Sequence, residues 1–243
     1  MALDQAMLEA HAEGAVAPTL RVYTWRPAAI SLGRFQRAEA SVDLEECRAL
    51  GIDVVRRPTG GRAILHTEEE VTFSLVVSER RLGTKGVMES YRALAGGIAA
   101  GLRKLGLEAR LVERSAPAAD PARAQDPACF AVKARCDLVV GSSKLLGSAQ
   151  VQRLGFILQQ NSLPLRLPLE NWRKVFRRED SRPEAAGLWE AAGRQVSYEE
   201  AAGALREGLA ETFGVQLEEG DPSEGEWSRA RELALEVSVL QTA

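Results

Sequence analysis

The stretch that decides the fold reads RRPTGGRAILH and runs from Arg56 to His66. It lies between an apolar segment predicted as a strand, residues 52–55, and a second one, residues 71–77. Adjacent glycines between two strands mark a place where the backbone turns sharply or approaches another group closely. Two arginines before the glycines and a histidine after them fit a loop that holds a polar or acyl-bearing ligand. An ordinary hairpin turn with a salt bridge fits the same residues, because short glycine motifs often match by chance.

The composition is that of a globular protein large enough to bury a sizeable core. The chain has 243 residues, of which 45% are hydrophobic and 27% charged, and its formal net charge is -3. This balance argues against a nucleic-acid-binding protein, since such proteins present an excess of positive charge. Residues 1–14 hold no lysine or arginine, and no apolar run reaches the length of a membrane span. We therefore expect a cytoplasmic protein with neither a membrane nor a nucleic-acid partner.

Cysteine and histidine are too sparse to predict a metal site. The three cysteines, Cys47, Cys129 and Cys136, show no short paired spacing, and the two histidines are His11 and His66. A structural zinc site takes four such ligands, and a disulfide framework takes an even set of cysteines. We expect no metal and no disulfide framework, while a single reactive thiol stays open.

Apolar periodicity predicts helices at both ends of the chain and in its middle. Steps of three and four residues over 91–105 predict the best-defined helix. A shorter helix opens the chain and ends near Gly14, and Asp43 is suited to cap another one that contains Cys47 as a core thiol. Near the C-terminus, Ser197 and Ser223 are each followed three residues later by glutamate, which is the spacing of a capping box.

Strand patterns come in neighbouring pairs and do not alternate regularly with helices. The predicted strands are 19–25, 29–32, 52–55, 71–77, 107–112, 137–140, 144–146 and 155–160. The last three read as consecutive hairpins, with residues 141–143 as a turn and the strand after it ending in residues 147–150. Residues 115–128 hold three prolines and read as an extended loop that leads to Cys129. The pattern predicts an α+β fold, a mixed and largely antiparallel sheet packed with helices.

The end of the chain differs from the rest because it is helical. We expect a larger core over residues 1–181 and a C-terminal helical portion of the same domain over residues 182–243. Residues 182–194 would link the two.

Cys129 is the strongest candidate for a nucleophile. It lies at the end of a loop and not in an apolar segment, and Lys144 lies on the hairpin that follows. A thiol reacts as the thiolate, which a neighbouring ammonium group favours, and a desolvated lysine can itself lose its proton. The residues alone favour a plainer interpretation. In it, Cys129 is a small apolar residue that packs before Phe130, and Lys144 is a solvated turn residue. Cys136 opens a predicted strand and is the weaker candidate.

His66 admits three interpretations. It could act as a general base, stack its ring on a ligand, or lie in the core with its hydrogen bonds satisfied, and the last is the commonest. His11 lies on the opening helix and is given no role.

Three blocks of sequence resemble the signature blocks of the biotin and lipoate protein ligase superfamily, in the same order. They are SLGRFQ at 31–36, the glycine stretch at 56–66 and KLLGSAQ at 144–150. Together they resemble the lipoate branch, which attaches octanoyl or lipoyl groups to one lysine of small acceptor domains. The resemblance covers the chain from Leu3 to about Leu163 and implies the catalytic-domain fold of that superfamily.

Within that branch, Cys129 and Phe130, 15 residues before Lys144, resemble the LipM-type octanoyltransferases. The resemblance implies an acyltransferase of lipoate biosynthesis, in which Cys129 takes octanoyl from octanoyl-acyl-carrier protein as a thioester. A lysine of a lipoyl-acceptor domain, such as that of glycine cleavage H protein or 2-oxoacid dehydrogenase E2, then attacks the thioester. Lys144 would favour the thiolate and polarise the acyl carbonyl. No metal, nucleotide or other cofactor is implied.

The same resemblance implies a substrate-binding set around the acyl chain. The glycine loop would lie along the acyl chain. The backbone after Lys144 would close the pocket and donate hydrogen bonds to the thioester oxygen. The set is Arg57, Thr59, Gly60, Gly61, Ala63, His66, Gly147, Ser148 and Ala149. The chain departs from the family pattern at Gln160 and Asn161, where members usually carry histidine and glycine, and these two residues are given no role. Residues 67–70 are also more acidic than the pattern.

Three other functions fit the same residues. An ATP-dependent lipoate-protein ligase would activate free lipoate without a cysteine, and an octanoyl amidotransferase would move octanoyl between acceptor proteins through one. Ligases typically carry a glycine-asparagine step soon after the loop histidine, where this chain has Thr67 and three glutamates. An acyl-binding protein with a degenerate site would have no need of Cys129 together with Lys144.

Overall fold

The computed structural model describes residues 1–112, 126–131, 137–176 and 183–242. Most of the loop predicted over 115–128, the residue Cys136 and the first residue of the predicted linker lie outside these ranges. The α-helices are α1 Ala2–Ala12, α2 Ala38–Ser41, α3 Leu44–Ala49, α4 Glu79–Leu82, α5 Val87–Lys104, α6 Leu169–Val175, α7 Leu188–Ala192, α8 Tyr198–Phe213 and α9 Glu224–Val237. The strands are β1 Thr19–Tyr23, β2 Ala29–Leu32, β3 Asp53–Arg56, β4 Ile64–His66, β5 Glu70–Ser78, β6 Ala109–Leu111, β7 Leu138–Val140, β8 Ser143–Lys144, β9 Gly147–Arg153, β10 Phe156–Pro164 and β11 Ser238–Leu240.

The described strands form three sheets. Their orders are β1-β5-β10-β9, β11-β3-β2-β4 and β6-β7-β8. The pair β2 and β3 is parallel, and the other neighbours are antiparallel. The α+β prediction, with a mixed and largely antiparallel arrangement, is confirmed.

Helices pack on the faces of the sheets that carry apolar side chains. Buried residues of α5 and α8 pack with β5 and β10 in the largest core cluster. Helices α1 and α9 pack in a second cluster with Val76 of β5 and Leu158 of β10. A third cluster joins β2, β3 and β4 to α3 and α6, and Cys47 is fully buried in it, as predicted. No helix in the described part of the chain is both long and apolar enough to cross a bilayer.

The hairpin that carries Lys144 differs from the prediction. Its turn holds two residues, so that Val139 pairs with Lys144. Residues 145–146 do not continue as a strand that ends in Gln150, and the prediction was wrong there. Leu145 and Leu146 are both buried, whereas consecutive residues of a strand with one exposed face would alternate between buried and exposed. After these two residues the chain enters the first sheet, where β9 begins.

Candidate active site

Arg57 lies inside the protein, where it is only 3% exposed, and its guanidinium group holds the glycine loop. Its Nη2 donates to the carbonyl oxygens of Gly60 and Arg62, at 2.8 and 2.7 Å. Its Nη1 donates to the carbonyl and hydroxyl oxygens of Ser31, at 2.8 and 3.1 Å, and its Nε donates to Thr59 Oγ1 at 3.1 Å. All five N–H groups of the guanidinium are therefore taken up by neutral acceptors.

The three sequence blocks meet at this loop through glycines. A Cβ atom on Gly33 would lie 1.9 Å from the carbonyl oxygen of Gly61, so only glycine fits there. Gly61 itself has a φ of +87°, a left-handed conformation that favours glycine. A Cβ atom on Gly61 would lie 3.8 Å from that of Ala149, in the third block. The fold thus joins residues that are far apart in sequence at one point.

The segment that carries Cys129 runs alongside the end of the glycine loop. The backbone nitrogen of Ala63 donates to the carbonyl of Pro127, and the nitrogen of Cys129 donates back to the carbonyl of Ala63, both at 2.8 Å. A short 3-10 turn, Cys129–Ala131, begins there, and the burial of Phe130 anchors it. Cys129 itself is partly exposed and its sulfur is a free thiol.

Lys144 reaches Cys129 from the β7–β8 hairpin. Its Nζ lies 3.5 Å from Cys129 Sγ and donates to the Cys129 carbonyl at 3.2 Å. The same Nζ lies 2.8 Å from Oδ2 of Asp137, and both side chains are almost fully buried. The structure thus brings together the two residues predicted as catalytic and adds a carboxylate that the sequence analysis missed.

The charges at this site decide the protonation of the lysine. Burial acts to lower the pKa of Lys144, but the charges of Cys129 and Asp137 and their hydrogen bonds outweigh burial and raise it. Lys144 is therefore an ammonium group at neutral pH, which corrects the expectation that desolvation could remove its proton. Burial lowers the pKa of Arg57 to about 10, and the charge of Cys129 acts in the opposite direction. Two cations, Lys144 and Arg57, therefore interact electrostatically with Cys129.

We expect Arg57→Gln to move the alkylation of Cys129 by iodoacetamide to higher pH, because one of the two cations that act on the sulfur is lost. The free energy of unfolding should also fall, by about 2–4 kcal/mol, since buried carbonyls lose their donors. Arg57→Lys is the matched control, because it keeps the charge but offers fewer donors. It should lower stability while leaving the pH profile near that of the wild type. An unmoved profile in Arg57→Gln would show that Arg57 only braces the loop.

His66 lies inside the protein with both ring nitrogens engaged. Nε2 is 2.7 Å from Ser31 Oγ, Nδ1 is 2.7 Å from Glu70 Oε1, and the ring stacks on Trp25 with 4.5 Å between centroids. Because the Glu70 carboxylate accepts, we assign the ring proton to Nδ1, which donates to Glu70. Nε2 then accepts from the Ser31 hydroxyl, whose oxygen in turn accepts from Arg57 Nη1. This geometry leaves no ring nitrogen for a substrate and connects His66 to Arg57 instead.

Two residues that were given no role hold members of the predicted substrate-binding set. Thr59 Oγ1 donates to Gln160 Oε1 at 2.9 Å, and Gln160 Nε2 donates to the buried Asp4 at 2.6 Å. Ser148 Oγ donates to Asn161 Oδ1 at 2.8 Å. Gln160 and Asn161 thus fix neighbouring side chains through their amide groups.

Of the remaining members of that set, Ala63 and Gly147 lie next to the segment that carries Cys129. Gly60 and Gly61 are accessible on the loop, whereas Ala63 is fully buried beside the Cys129 segment. Gly147 is buried, and a Cβ atom there would lie 2.9 Å from Ile64 Cδ1 and 3.2 Å from Phe130 Cζ. The glycine loop and the start of β9 therefore approach each other next to the Cys129 turn. No cluster of three or more metal-ligating side chains occurs in the ranges that the structure describes.

Comparison with known proteins agrees with this architecture. The family model described as lipoyl protein ligase A/B catalytic domain matches residues 1–210. Octanoyltransferase LipM of Kyrpidia tusciae is 43% identical over 96% of this chain and 89% of its own length. Octanoyltransferase LipM of Symbiobacterium thermophilum is 40% identical over 96% of this chain and 88% of its own length.

A solved structure shows the same fold with a ligand. It is that of the protein Ta0514 from T. acidophilum, with bound lipoic acid. The two chains superpose with a TM-score of 0.78 at 29% identity, over 97% of this chain and 88% of that one. The resemblance noted from the three sequence blocks is confirmed. The chain belongs to the lipoyl protein ligase A/B catalytic-domain family, and within that family it is an octanoyltransferase.

Proposed function

We propose that the chain transfers octanoyl from octanoyl-acyl-carrier protein to a lysine of a lipoyl-acceptor domain through a thioester on Cys129. The observation that carries the proposal is the 3.5 Å contact between Cys129 Sγ, on a partly exposed residue, and the buried ammonium of Lys144. A nearby cation favours the thiolate, which is the nucleophilic form of cysteine. The proposal keeps the cytoplasmic location that the sequence predicts.

In the first step, the Cys129 thiolate attacks the thioester carbonyl of the donor. A new bond forms between Sγ and the acyl carbon, the bond to the donor sulfur breaks, and the donor leaves as a thiolate that takes up a proton. The reaction exchanges one thioester for another, so that no further activation of the acyl group is needed. Splitting the transfer in this way replaces one difficult reaction by two easier ones.

In the second step, the neutral amine of the acceptor lysine attacks the acyl carbon on Cys129. An amide bond forms, the bond between carbon and Sγ breaks, and the nitrogen loses a proton. Cys129 returns to the thiolate beside Lys144. We propose a lipoyl-acceptor domain such as glycine cleavage H protein or 2-oxoacid dehydrogenase E2 as the acceptor.

Lys144 has a role in both steps. While Cys129 is a thiolate, one ammonium hydrogen is directed at its sulfur. Once Sγ carries the acyl group it has lost its negative charge, and that hydrogen can turn to the carbonyl oxygen, where charge develops during attack. Asp137, at 2.8 Å, keeps the amine protonated through this exchange. A buried donor aimed at developing charge is worth more than the same donor in water.

The choice of donor tests the proposal. We expect the enzyme to octanoylate an acceptor domain when given octanoyl-acyl-carrier protein without ATP, as followed by the intact mass of the acceptor. Product that forms only from free lipoate or octanoate with ATP would identify a ligase. Product that forms only from an octanoylated acceptor protein would identify an amidotransferase. Either of these results would overturn the proposed donor.

A further inference from the structure

Phe35 is the most exposed aromatic side chain among the large hydrophobics of the described chain, at 86% of its surface. It lies in the loop of residues 33–37, which joins β2 to α2. Its neighbours Arg34 and Arg37 are also exposed, and the Arg34 guanidinium carbon lies 5.6 Å from the centre of the Phe35 ring. An aromatic ring between two arginines has the composition of a protein-binding hot spot.

The backbone of this loop is held firmly. Arg56 Nη1 donates to the carbonyl oxygens of Gly33, Arg34 and Gln36, at 3.2, 3.3 and 2.6 Å. The nitrogen of Arg34 donates to the carbonyl of Thr59 at 2.9 Å. The exposed ring contributes little to folding, because burial is what makes an aromatic side chain stabilising. A fixed backbone does lower the entropy lost when a partner binds, so this loop is prepared for association.

The loop lies beside the nucleophile. Gln36 Nε2 donates at 3.0 Å to the carbonyl of Pro127, which is two residues before Cys129. The same carbonyl accepts the hydrogen bond from Ala63 that aligns the Cys129 segment. A partner seated on Phe35 is therefore adjacent to the segment that carries Cys129.

The surroundings of the loop are positively charged, although the whole chain has a net charge of -3. A cavity of about 250 Å³ next to the loop is lined by four arginines and two glutamates among its residues, namely Arg34, Arg56, Arg57, Arg153, Glu9 and Glu236. One of these carboxylates, that of Glu9, is already paired with Arg229 at 2.7 Å. A locally basic surface on an acidic protein steers an acidic partner to this place and away from the rest.

We propose that the loop of residues 33–37 is the docking surface for the protein body of the octanoyl donor, an acidic acyl-carrier protein. This inference rests on the proposed function and names where its donor binds. A donor that docks beside the site must deliver its acyl group on a long arm. A carrier protein has such an arm, and the arm bears a phosphodiester that suits the exposed guanidinium groups of Arg34 and Arg153 in the cavity lining. An acceptor lysine has only its own side chain and must approach the thioester directly.

The test compares two donors in the acylation of Cys129. One is octanoyl-acyl-carrier protein, and the other is octanoyl-N-acetylcysteamine, a short thioester without protein or phosphate. We expect Phe35→Ala and Arg34→Glu to lower kcat/KM for the carrier-borne donor by about 10- to 100-fold, as for a hot-spot residue. Both should leave kcat/KM for the short donor within about twofold of the wild type. Leu154→Ala is the matched control, because this leucine is 99% exposed on the β9–β10 turn and should affect neither donor.

Three results would overturn the inference. The first is an unchanged rate with the carrier-borne donor in Phe35→Ala. The second is an equal loss with both donors, which would mean that the loop shapes the site. The third is a loss confined to transfer from preformed acyl-enzyme to the acceptor domain, which would place the acceptor on Phe35. If neither donor acylates the wild type, the proposed function fails, and the affinity of carrier protein for wild type and Phe35→Ala, measured by calorimetry, still decides the docking surface.

Discussion

Cys129→Ala is expected to lower octanoyl transfer from carrier protein to acceptor domain by at least about 10⁴-fold, since the covalent route is lost altogether. Alanine offers no nucleophile, and the ammonium of Lys144 at 3.5 Å has no sulfur left to activate. The measurement is the initial rate of acceptor octanoylation, followed by mass spectrometry with saturating donor. Folding should be retained, because Cys129 is partly exposed and the change creates only a small cavity.

Cys47→Ala and Cys136→Ala are the matched controls for this variant, and both should keep the wild-type rate. Cys47 is fully buried, and burial together with the charges of Asp43 and Glu46 raises its pKa to about 11. It is therefore a poor nucleophile at neutral pH. Retention of more than a tenth of the rate in Cys129→Ala would contradict a thioester on this residue, and loss of the rate in Cys136→Ala would transfer the role to Cys136.

Lys144→Met is expected to slow the acylation of Cys129 by about 10²- to 10³-fold, the usual effect of removing one donor to a developing oxyanion. It should also move alkylation of Cys129 by iodoacetamide to higher pH, because the thiolate loses its nearest cation. Methionine matches the length of the lysine stem, so that packing against the hairpin is largely kept. Stopped-flow acylation and the pH dependence of alkylation give the two readouts.

We expect Asp137→Asn to move the pH dependence of Cys129 alkylation in the direction opposite to Lys144→Met, which makes it a control for that variant. Removing a carboxylate 2.8 Å from Nζ makes the surroundings of Cys129 more positive, so that alkylation should move to lower pH. The loss of a buried ionic partner should lower the free energy of unfolding by about 3 kcal/mol. A pH profile that moves in the same direction in Asp137→Asn and Lys144→Met would mean that both variants act through a change of structure and not through charge.

The pairing of Cys129 with Lys144 was implied by the resemblance to the LipM-type octanoyltransferases, but the place of Asp137 could not be predicted from the sequence. The predicted three-residue turn puts Val140 opposite Lys144, whereas the observed two-residue turn puts Val139 there. Side chains alternate between the faces of a strand, so a slip of one residue moves Asp137 from the far face to that of Lys144. A two-residue turn with glycine first would have given the correct register from the sequence.

The role of His66 shows a second limit of sequence reasoning. The glycine loop and its histidine were recognisable as a block, but a motif does not tell where a side chain points. His66 is placed by Ser31, which lies 35 residues away, and by the carboxylate of Glu70. Thr59 is likewise fixed by Gln160 from a distant strand. Such long-range hydrogen bonds depend on the packed sheets and leave no local signal in the chain.

The most direct test of the account is the mass of the enzyme itself after brief mixing with octanoyl-acyl-carrier protein in the absence of ATP and acceptor. We predict a gain of one octanoyl group, removed by neutral hydroxylamine as thioesters are, and located by peptide mapping on Cys129. Addition of an acceptor domain should then remove the octanoyl group from Cys129, and the group should appear on the acceptor. An enzyme that gains no mass, or that carries the group on another residue, would contradict the mechanism proposed for this site.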